Sequence, residues 1–283
     1  MIMSNTDKSL TVTGIEQNNQ DNLKRAFDFA NATVDPKLKL PSKLAFKPGV
    51  FKVSGDGVFY TVQGEGPTMG KPCCFLRLHI CNLRCVWCDA WYTWNPNTPE
   101  FWTESQDWTI KKAKKEIEKV WGCENSAVKK RVVITGGEPL LQRDRIDLLY
   151  NIMPDWTFEV ETNGTIMPTE TMLKNFQFNC SPKIGNSENI RVARIKPDIL
   201  KALNEVNTVF KFVVMTPQDL DEIERDFVRP LSLDINKILV MPQGVTAEEV
   251  HHNAQRVIEA TKKKGYRIMG RLQNEIWGAI RKV

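Results

Sequence analysis

Short apolar segments that alternate with amphipathic helical segments are the feature that most limits the fold of this chain. Five of the apolar segments end in a polar turn marked by glycine, proline or cysteine, at residues 81–88, 136–139, 161–165, 181–183 and 242–244. Such alternation is typical of a parallel sheet whose strands are joined by helices. The carboxyl ends of parallel strands meet at one edge, where these proteins bind ligands. The sequence therefore predicts an α/β sheet or barrel with one site formed by the five turns.

Hydrophobic periodicity predicts the individual elements. Strands are predicted at residues 74–80, 132–135, 157–160, 176–180, 209–215, 238–241 and 266–269, and helices at 109–121, 146–153, 197–204, 218–227 and 247–263. Residues 51–62 are predicted to form a strand, or a hairpin that turns at Gly55-Asp56-Gly57. In the strand 74–80, Arg77 and His79 fall on one face because side chains alternate.

Size and charge limit the organisation and the partners. The chain has 283 residues, 41% of them hydrophobic, which suits one large domain. Residues 1–47 are polar, so we expect a partly disordered N-terminal extension, with a short helix near 23–32, before a barrel domain at 48–283. The chain has no apolar run of about 18 residues and no secretory pattern, so we expect a cytoplasmic location without membrane contact. The modest net charge of +5 predicts no direct nucleic-acid binding.

Three of the seven cysteines lie within eight residues, as Cys81, Cys85 and Cys88. An odd cysteine count with such clustering favours metal binding in a reducing compartment. Three thiolates on one iron–sulfur cluster leave one iron open to a small molecule. The alternative is a structural zinc site whose fourth ligand comes from elsewhere. The residues available for that ligand are Cys123, Cys180, His79, His251 and His252.

Several motifs around the cysteines carry a resemblance to a known family. They are Val62-Gln63-Gly64-Glu65-Gly66, Phe75-Leu76-Arg77-Leu78, Trp87-Cys88-Asp89 with Trp94, Thr135-Gly136-Gly137-Glu138-Pro139, and Ser181-Pro182-Lys183. The cysteine spacing, with an aromatic residue before the third cysteine, resembles the signature of radical S-adenosylmethionine (SAM) enzymes. The full set, in this order, is similar to the 7-carboxy-7-deazaguanine synthases, closely over residues 51–139 and more loosely beyond.

The resemblance implies an abridged (β/α) barrel, often dimeric. It implies conversion of 6-carboxy-5,6,7,8-tetrahydropterin into 7-carboxy-7-deazaguanine with loss of ammonia. Cys81, Cys85 and Cys88 would hold a [4Fe–4S] cluster whose free iron binds SAM. An external donor of the flavodoxin or ferredoxin type would supply the electron that cleaves SAM to a 5′-deoxyadenosyl radical. The cofactors generate this radical, so no catalytic protein side chain is implied.

The resemblance also implies binding roles for individual residues. Those implied at the cofactor are Trp87, Gly136, Gly137, Glu138, Ser181, Pro182, Lys183, Met241, Pro242, Gln243 and Gly244. Those implied at the pterin are Val62, Gln63, Gly64, Glu65, Arg77 and Thr135, with Arg77 paired to the substrate carboxylate because a guanidinium suits that geometry. Glu138 has an alternative as an acid at a helix N-terminus. Arg77 has an alternative on a solvent-facing side of its strand.

Two departures from the family pattern concern the substrate site. The family usually has Cys-Asp-Thr, whose threonine hydroxyl ligates Mg2+, whereas this chain has Cys88-Asp89-Ala90. Either Asp89, water or another group supplies the ligand, or no Mg2+ is needed, or the activity is altered. The family also usually has His-Lys where this chain has Gln273-Asn274. Two other readings stay open: a different radical SAM enzyme such as a glycyl-radical activase, and a non-catalytic homologue that keeps only zinc.

Overall fold

The computed structural model describes residues 45–278 together with 280 and 281, and the side chain of residue 56 is outside this description. The predicted helix at 23–32, and all but the last residues of the predicted N-terminal extension, lie outside the described residues. No helix within the described part of the chain is long and apolar enough to span a membrane.

One open, nine-stranded sheet organises the described residues, in the order β3-β1-β2-β4-β5-β6-β7-β8-β9. The strands are β1 (Val50–Val62), β2 (Pro72–Leu78), β3 (Gln106–Thr109), β4 (Arg131–Gly136), β5 (Thr157–Thr162), β6 (Gln177–Cys180), β7 (Thr208–Val214), β8 (Ile238–Pro242) and β9 (Arg267–Ile268). β1 runs antiparallel to β2 and β3, and every other pairing is parallel. This confirms the predicted α/β class, as a partial barrel.

Helices connect the parallel strands. They are α1 (Pro99–Thr103), α2 (Ile110–Val120), α3 (Arg143–Asn151), α4 (Glu170–Asn175), α5 (Arg191–Arg194), α6 (Pro197–Asn204), α7 (Pro217–Ile223), α8 (Arg229–Leu231), α9 (Ala247–Lys264) and α10 (Leu272–Trp277). The longest, α9, begins where Thr246 and Glu249 form a reciprocal capping box. It ends at Gly265, whose φ of +70° suits a residue without a Cβ.

The two faces of the sheet differ in polarity. Phe158, Val160, Phe210 and Phe212 pack with helix residues in the main hydrophobic core. Burying each such side chain contributes about 1.5–3 kcal/mol. Alternate residues on the same strands are charged, and Lys211 forms ion pairs inside the barrel. The sheet therefore has an apolar outer face and a polar inner face.

Near the site, the structure confirms the strand of the two alternatives for residues 51–62 and corrects the prediction for His79. Residues 50–62 form one continuous strand and not a hairpin, because a bulge between Val53 and Val58 absorbs the extra residues against β2. β2 ends at Leu78, so His79 does not share a strand face with Arg77. The His79 ring is fully buried against the carbonyl oxygen of Phe101, with Nε2 at 3.0 Å.

The other strand predictions and four of the five helix predictions are confirmed to within a few residues. The helix predicted at 218–227 is α7, which stops at Ile223 and continues as a π-helical turn, Glu224–Val228. The edge strand β3 and the short helices α1, α4, α5, α8 and α10 were not predicted, because each is too short to show a period.

Candidate active site

A cavity of about 650 Å³ opens at the carboxyl ends of β2, β4, β5 and β8. All five turns predicted from the sequence contribute to its lining. The predicted site residues that line it are Val62, Gln63, Gly64, Glu65, Arg77, Cys81, Cys85, Trp87, Cys88, Asp89, Thr135, Gly136, Gly137, Ser181, Lys183, Met241, Pro242, Gln243 and Gly244. Glu138 and Pro182 are buried behind this lining. The cavity thus brings nearly all the predicted residues together.

The three clustered cysteines have free thiols in this cavity. Their loop is fixed by hydrogen bonds to sulfur: Leu83 N donates to Cys81 Sγ at 3.5 Å, and Asn189 Nδ2 donates to Cys85 Sγ at 3.3 Å. Burial raises the pKa of all three thiols, that of Cys88 to about 12. Buried thiols of this kind give up their protons when a metal centre supplies positive charge. The donor set therefore fits an iron–sulfur cluster.

The structural-zinc alternative needs a fourth ligand, and among the described residues none of the Cys and His candidates lies at the cysteine loop. Cys123, Cys180 and His79 do not line the cavity, and His251 and His252 are exposed on α9. No group of three or more His, Cys, Asp or Glu side chains in the described ranges is arranged around a single ion. A four-iron cluster holds each thiolate on a different iron, so its ligands stay further apart than those of one ion.

Gly136 and Gly137 pack directly against the strand that leads into the cysteine loop. Gly136 has a φ of +130°, and a Cβ there would lie 1.9 Å from Leu78 O. A Cβ on Gly137 would lie 2.2 Å from Ile80 O. Their absent side chains allow hydrogen bonds such as Gly137 N to Leu78 O at 3.2 Å. The two glycines thereby fix the cysteine loop as well as lining the cavity.

Glu138 is fully buried, and its carboxylate is occupied by the protein. It accepts hydrogen bonds from Leu140 N at 2.9 Å, Thr162 Oγ1 at 2.8 Å and Asn163 N at 2.7 Å. Burial raises the pKa of this carboxyl, although these donors act in the opposite direction. It caps the short 3-10 helix Pro139–Gln142. Glu138 therefore has the position that the second alternative predicted, an acidic residue at the N-terminus of a helix.

Ser181, Lys183 and Trp87 form a polar and aromatic corner beside the cysteines. Lys183 Nζ donates to Ser181 Oγ at 2.7 Å and lies 5.4 Å from the centre of the Trp87 ring. Trp87 Nε1 donates to Asn186 O at 3.0 Å. The next turn along the sheet is fixed by a hydrogen bond from Gln243 N to Val214 O at 2.8 Å. The aromatic ring and the hydroxyl can contact an adenosyl group.

Gln63 is held by two carboxylates of β5. Its Nε2 donates to Glu161 Oε1 at 3.1 Å and Glu159 Oε2 at 3.3 Å, while its Oε1 accepts from Glu65 N at 3.2 Å. Glu159 also pairs with Arg131. The Gln63 side chain is therefore used to shape the cavity wall, and Glu65 is the side chain of this turn that carries charge into it.

Lys211, in the middle of β7, links two carboxylates across the barrel. Its Nζ lies 2.7 Å from Glu65 Oε2 and 2.5 Å from Glu161 Oε2. Burial lowers the pKa of Lys211, but the two carboxylates outweigh it and the pKa is raised. Burial likewise raises the pKa of Glu65, but Lys211 and Arg271 outweigh it and hold that pKa well below its usual range. The lysine is thus charged and Glu65 is ionised.

The C-terminal segment closes the cavity over these charges. Arg271, at the start of α10, lies 2.5 Å from Asp89 Oδ2 and 3.1 Å from Glu65 Oε1. Gln273 Nε2 donates to Glu65 Oε1 at 2.8 Å. Leu272 N donates to Gly64 O at 3.1 Å, so the segment is attached to the turn that carries Glu65.

Sequence reasoning gave Glu161 only a place in the turn 161–165, without a role, and it missed Lys211 and Arg271 as site residues. A signal for Glu161 and Lys211 was present, because each is a single charge at an alternating position of an otherwise apolar strand, Phe-Glu-Val-Glu-Thr or Val-Phe-Lys-Phe-Val. Such a charge must face a polar interior or pair with an opposite charge. Arg271 lies outside any periodic segment, and only the folded chain shows what it contacts.

The family model of the radical SAM superfamily matches residues 76–270. This span begins in β2 and extends past β9. Because the match covers more than half of the chain and includes the cysteine loop, the chain is a radical SAM enzyme. Membership of this superfamily brings a [4Fe–4S] cluster and SAM as cofactors.

Curated relatives define the family within this class. The 7-carboxy-7-deazaguanine synthase of Pyrobaculum aerophilum is 31% identical, over 79% of this chain and 94% of that protein. The synthase of Halobacterium salinarum is 32% identical, over 78% of this chain and 88% of that protein. The chain belongs to the 7-carboxy-7-deazaguanine synthase family. The crystal structure of QueE from Escherichia coli shares the fold, with a TM-score of 0.58 and 22% identity over 79% of this chain and 94% of that one.

Proposed function

We propose that this protein converts 6-carboxy-5,6,7,8-tetrahydropterin into 7-carboxy-7-deazaguanine with release of ammonia, as a step of 7-deazapurine biosynthesis. The observation that carries the proposal is that three free cysteines line the same cavity as a wall of buried carboxylates and cations, in a chain of this family. When bound, the cluster and SAM supply the radical that removes a hydrogen atom from the substrate. The substrate loses only ammonia overall, so SAM is regenerated and no net oxidant is needed.

The protein residues bind and orient the two ligands. Gly136, Gly137 and the corner formed by Trp87, Ser181 and Lys183 lie beside the cysteines, where SAM must sit to reach the free iron. On the other side of the cavity, the ionised Glu65 can accept hydrogen bonds from the N–H groups of the pterin. The charge of Arg77 suits the substrate carboxylate at this wall. The barrel and the C-terminal segment around these groups exclude water from the radical.

The remaining expectations about partners belong to the same proposal. An electron donor of the flavodoxin or ferredoxin type reduces the cluster, the enzyme works in the cytoplasm, and two copies form a homodimer. The family assignment is what supports these three expectations. The proposed reaction does not depend on these three expectations, because residues of one chain form the cavity described above.

The test is turnover under anaerobic conditions. The reconstituted protein is incubated with 6-carboxytetrahydropterin, SAM and dithionite, and the products are followed by mass spectrometry. We expect 7-carboxy-7-deazaguanine, with 5′-deoxyadenosine far below the amount of product because SAM is recycled. Formation of 5′-deoxyadenosine without any pterin product would reject this substrate while leaving the radical SAM assignment in place.

Two cysteine variants form a matched control. Cys85→Ala removes a proposed cluster ligand and should abolish both iron binding and product. Cys123→Ala changes a cysteine that does not line the cavity and should leave both intact. Equal loss in the two variants would mean that the cysteine effect is not specific to the cluster.

A further inference from the structure

Position 90 is where the structure does not fit the divalent ion that the family resemblance implies. Ala90 is buried and offers only a methyl group, and its carbonyl oxygen accepts from Thr93 N and Oγ1. Mg2+ requires near-octahedral oxygen ligands. Position 90 therefore supplies no ligand for a magnesium ion, and the carboxylate of Asp89 is the side-chain ligand that remains in this run.

A guanidinium lies at Asp89 instead. Arg271 Nη2 donates to Asp89 Oδ2 at 2.5 Å, Nε to Glu65 Oε1 at 3.1 Å, and Nη1 to Gly244 O at 2.8 Å. These contacts connect three different turns of the cavity rim. The Asp89 carboxylate is therefore already paired with a side-chain cation.

The position of Arg271 is fixed before any ligand binds. The arginine side chain is only 15% exposed. Its segment is attached through Leu272 N to Gly64 O at 3.1 Å and through Asn274 Nδ2 to Gly244 O at 3.2 Å. A guanidinium has five N–H groups, and the contacts with described residues use three of them. Two N–H groups can thus donate to a ligand carboxylate without breaking an existing contact.

The carboxylates of this cavity are matched by side-chain cations without a divalent ion. Three carboxylates line it, at Glu65, Asp89 and Glu161, and the cations that line it are Arg77, Lys183, Lys211, Arg271 and Arg281. Lys211 lies between two of the carboxylates and Arg271 between two. A divalent cation at Asp89 would have to displace the charge-assisted contact of Arg271 Nη2, from a guanidinium that is also held by Glu65 and Gly244.

From this geometry we propose that Arg271 is the resident cation of the substrate site: it replaces a divalent ion at Asp89 and, together with Arg77, binds the carboxylate end of the substrate. This deepens the proposed function and rests on it for the identity of the substrate. The part of the proposal that concerns the metal stands on the contacts of Arg271 alone.

The first experiment titrates the cluster-loaded holoenzyme with Mn2+ in the presence of SAM and follows free Mn2+ by electron paramagnetic resonance. We expect no saturable binding. One Mn2+ bound per chain, and lost in Asp89→Asn, would overturn the proposal. The companion measurement is turnover in metal-depleted buffer with and without added Mg2+, which we expect to be the same. A strong Mg2+ requirement would also overturn it.

The second experiment tests the binding role of Arg271. Arg271→Gln should raise the KM for the pterin by about tenfold or more, because a charge-assisted contact is lost. Arg271→Lys, which keeps the charge but not the fork, should recover part of that affinity. The matched control is Arg229→Gln, an arginine that is 77% exposed, pairs with Glu224 and is outside the cavity lining, for which KM should not change. Equal KM values in Arg271→Gln and the wild type would reject the role.

These outcomes separate failure of the inference from failure of the proposed function. A wild-type protein that makes no pterin product refutes the function, while the Mn2+ titration still decides whether Asp89 holds a metal. A wild-type protein that makes the product and also binds Mn2+ at Asp89 refutes the inference alone.

Discussion

The two sides of the cavity are built in different ways. On one side the cysteine loop is fixed by backbone packing, since Gly136 and Gly137 lie against the carbonyl groups of Leu78 and Ile80. On the other side the wall consists of buried charges, with Lys211 between Glu65 and Glu161. The first side depends on the absence of side chains, and the second on long side chains that meet across the barrel. The same cavity therefore combines a sterically determined half with an electrostatically determined half.

This difference separates the two chemical tasks. A cluster needs ligands at fixed positions, and close backbone packing supplies them with little freedom to shift. A polar heterocycle needs charges and hydrogen-bond acceptors, which a low-dielectric interior strengthens only if each charge is matched. The steric side should thus fail when volume is added, whereas the charged side should fail when one charge is removed.

The largest expected effect is on the charged side. Lys211→Met keeps the shape of a side chain that is 2% exposed but leaves Glu161 without its cation. Removing one partner of a buried ion pair costs about 3–5 kcal/mol. We expect a corresponding fall in the free energy of unfolding, measured by urea denaturation of the reconstituted protein.

Two variants sharpen this prediction. Lys211→Met combined with Glu161→Gln should recover part of the loss, because the uncompensated carboxylate is gone. Lys262→Met disrupts an exposed pair with Glu259 and should cost less than about 1 kcal/mol. If the Lys211→Met protein were as stable as the Lys262→Met protein, the stability of the charged side would not depend on pairing each buried carboxylate with a cation.

Added volume tests the steric side. Gly136→Ala would place a Cβ 1.9 Å from Leu78 O, in a backbone conformation with φ of +130°. Such overpacking costs about 3 kcal/mol, and the displaced strand end should also reduce iron loading of the cysteine loop. Gly70→Ala is the control, since Gly70 also has a positive φ but no atom within 4 Å of the added Cβ. Equal iron content in the two variants would contradict the steric role of Gly136.

The fold could be predicted because its determinants are local. Parallel strands such as β4, β7 and β8 are short apolar runs bounded by turn residues, and α9 has capping and an amphipathic period. The bulge in β1 could not be predicted, since its register depends on pairing with both β2 and β3. The glycines at 55 and 57 gave a turn signal that two flanking strands override.

The steric half of the site could be predicted for the same reason. Cys81, Cys85 and Cys88 lie within one loop, so their spacing alone indicates a shared ligand. In the charged half, Glu65 could be predicted from its turn but its ion pairs could not, because Lys211 and Arg271 lie 146 and 206 residues along the chain from it. Glu138 combines both roles that its position in the sequence suggested: three protein donors hold its carboxylate at the helix N-terminus, one acceptor position is left, and the cofactor contact stays a prediction.

The smallest expected effect is on the reduction potential of the cluster, through a hydrogen bond to one of its cysteine ligands. Asn189 Nδ2 donates to Cys85 Sγ at 3.3 Å, and hydrogen bonds to cluster sulfur raise the reduction potential because they stabilise the more negative reduced state. Asn189→Leu should therefore lower the midpoint potential of the reconstituted cluster. A net hydrogen-bond contribution of about 1 kcal/mol corresponds to about 40 mV for one electron, which a redox titration followed by electron paramagnetic resonance can resolve. Asn175→Leu, on the exposed end of α4 where Nδ2 donates to Thr171 O, should leave the potential unchanged. A potential that is the same in both variants would mean that the loop positions the cysteines without adjusting the charge on the cluster, so that backbone packing alone accounts for this half of the cavity.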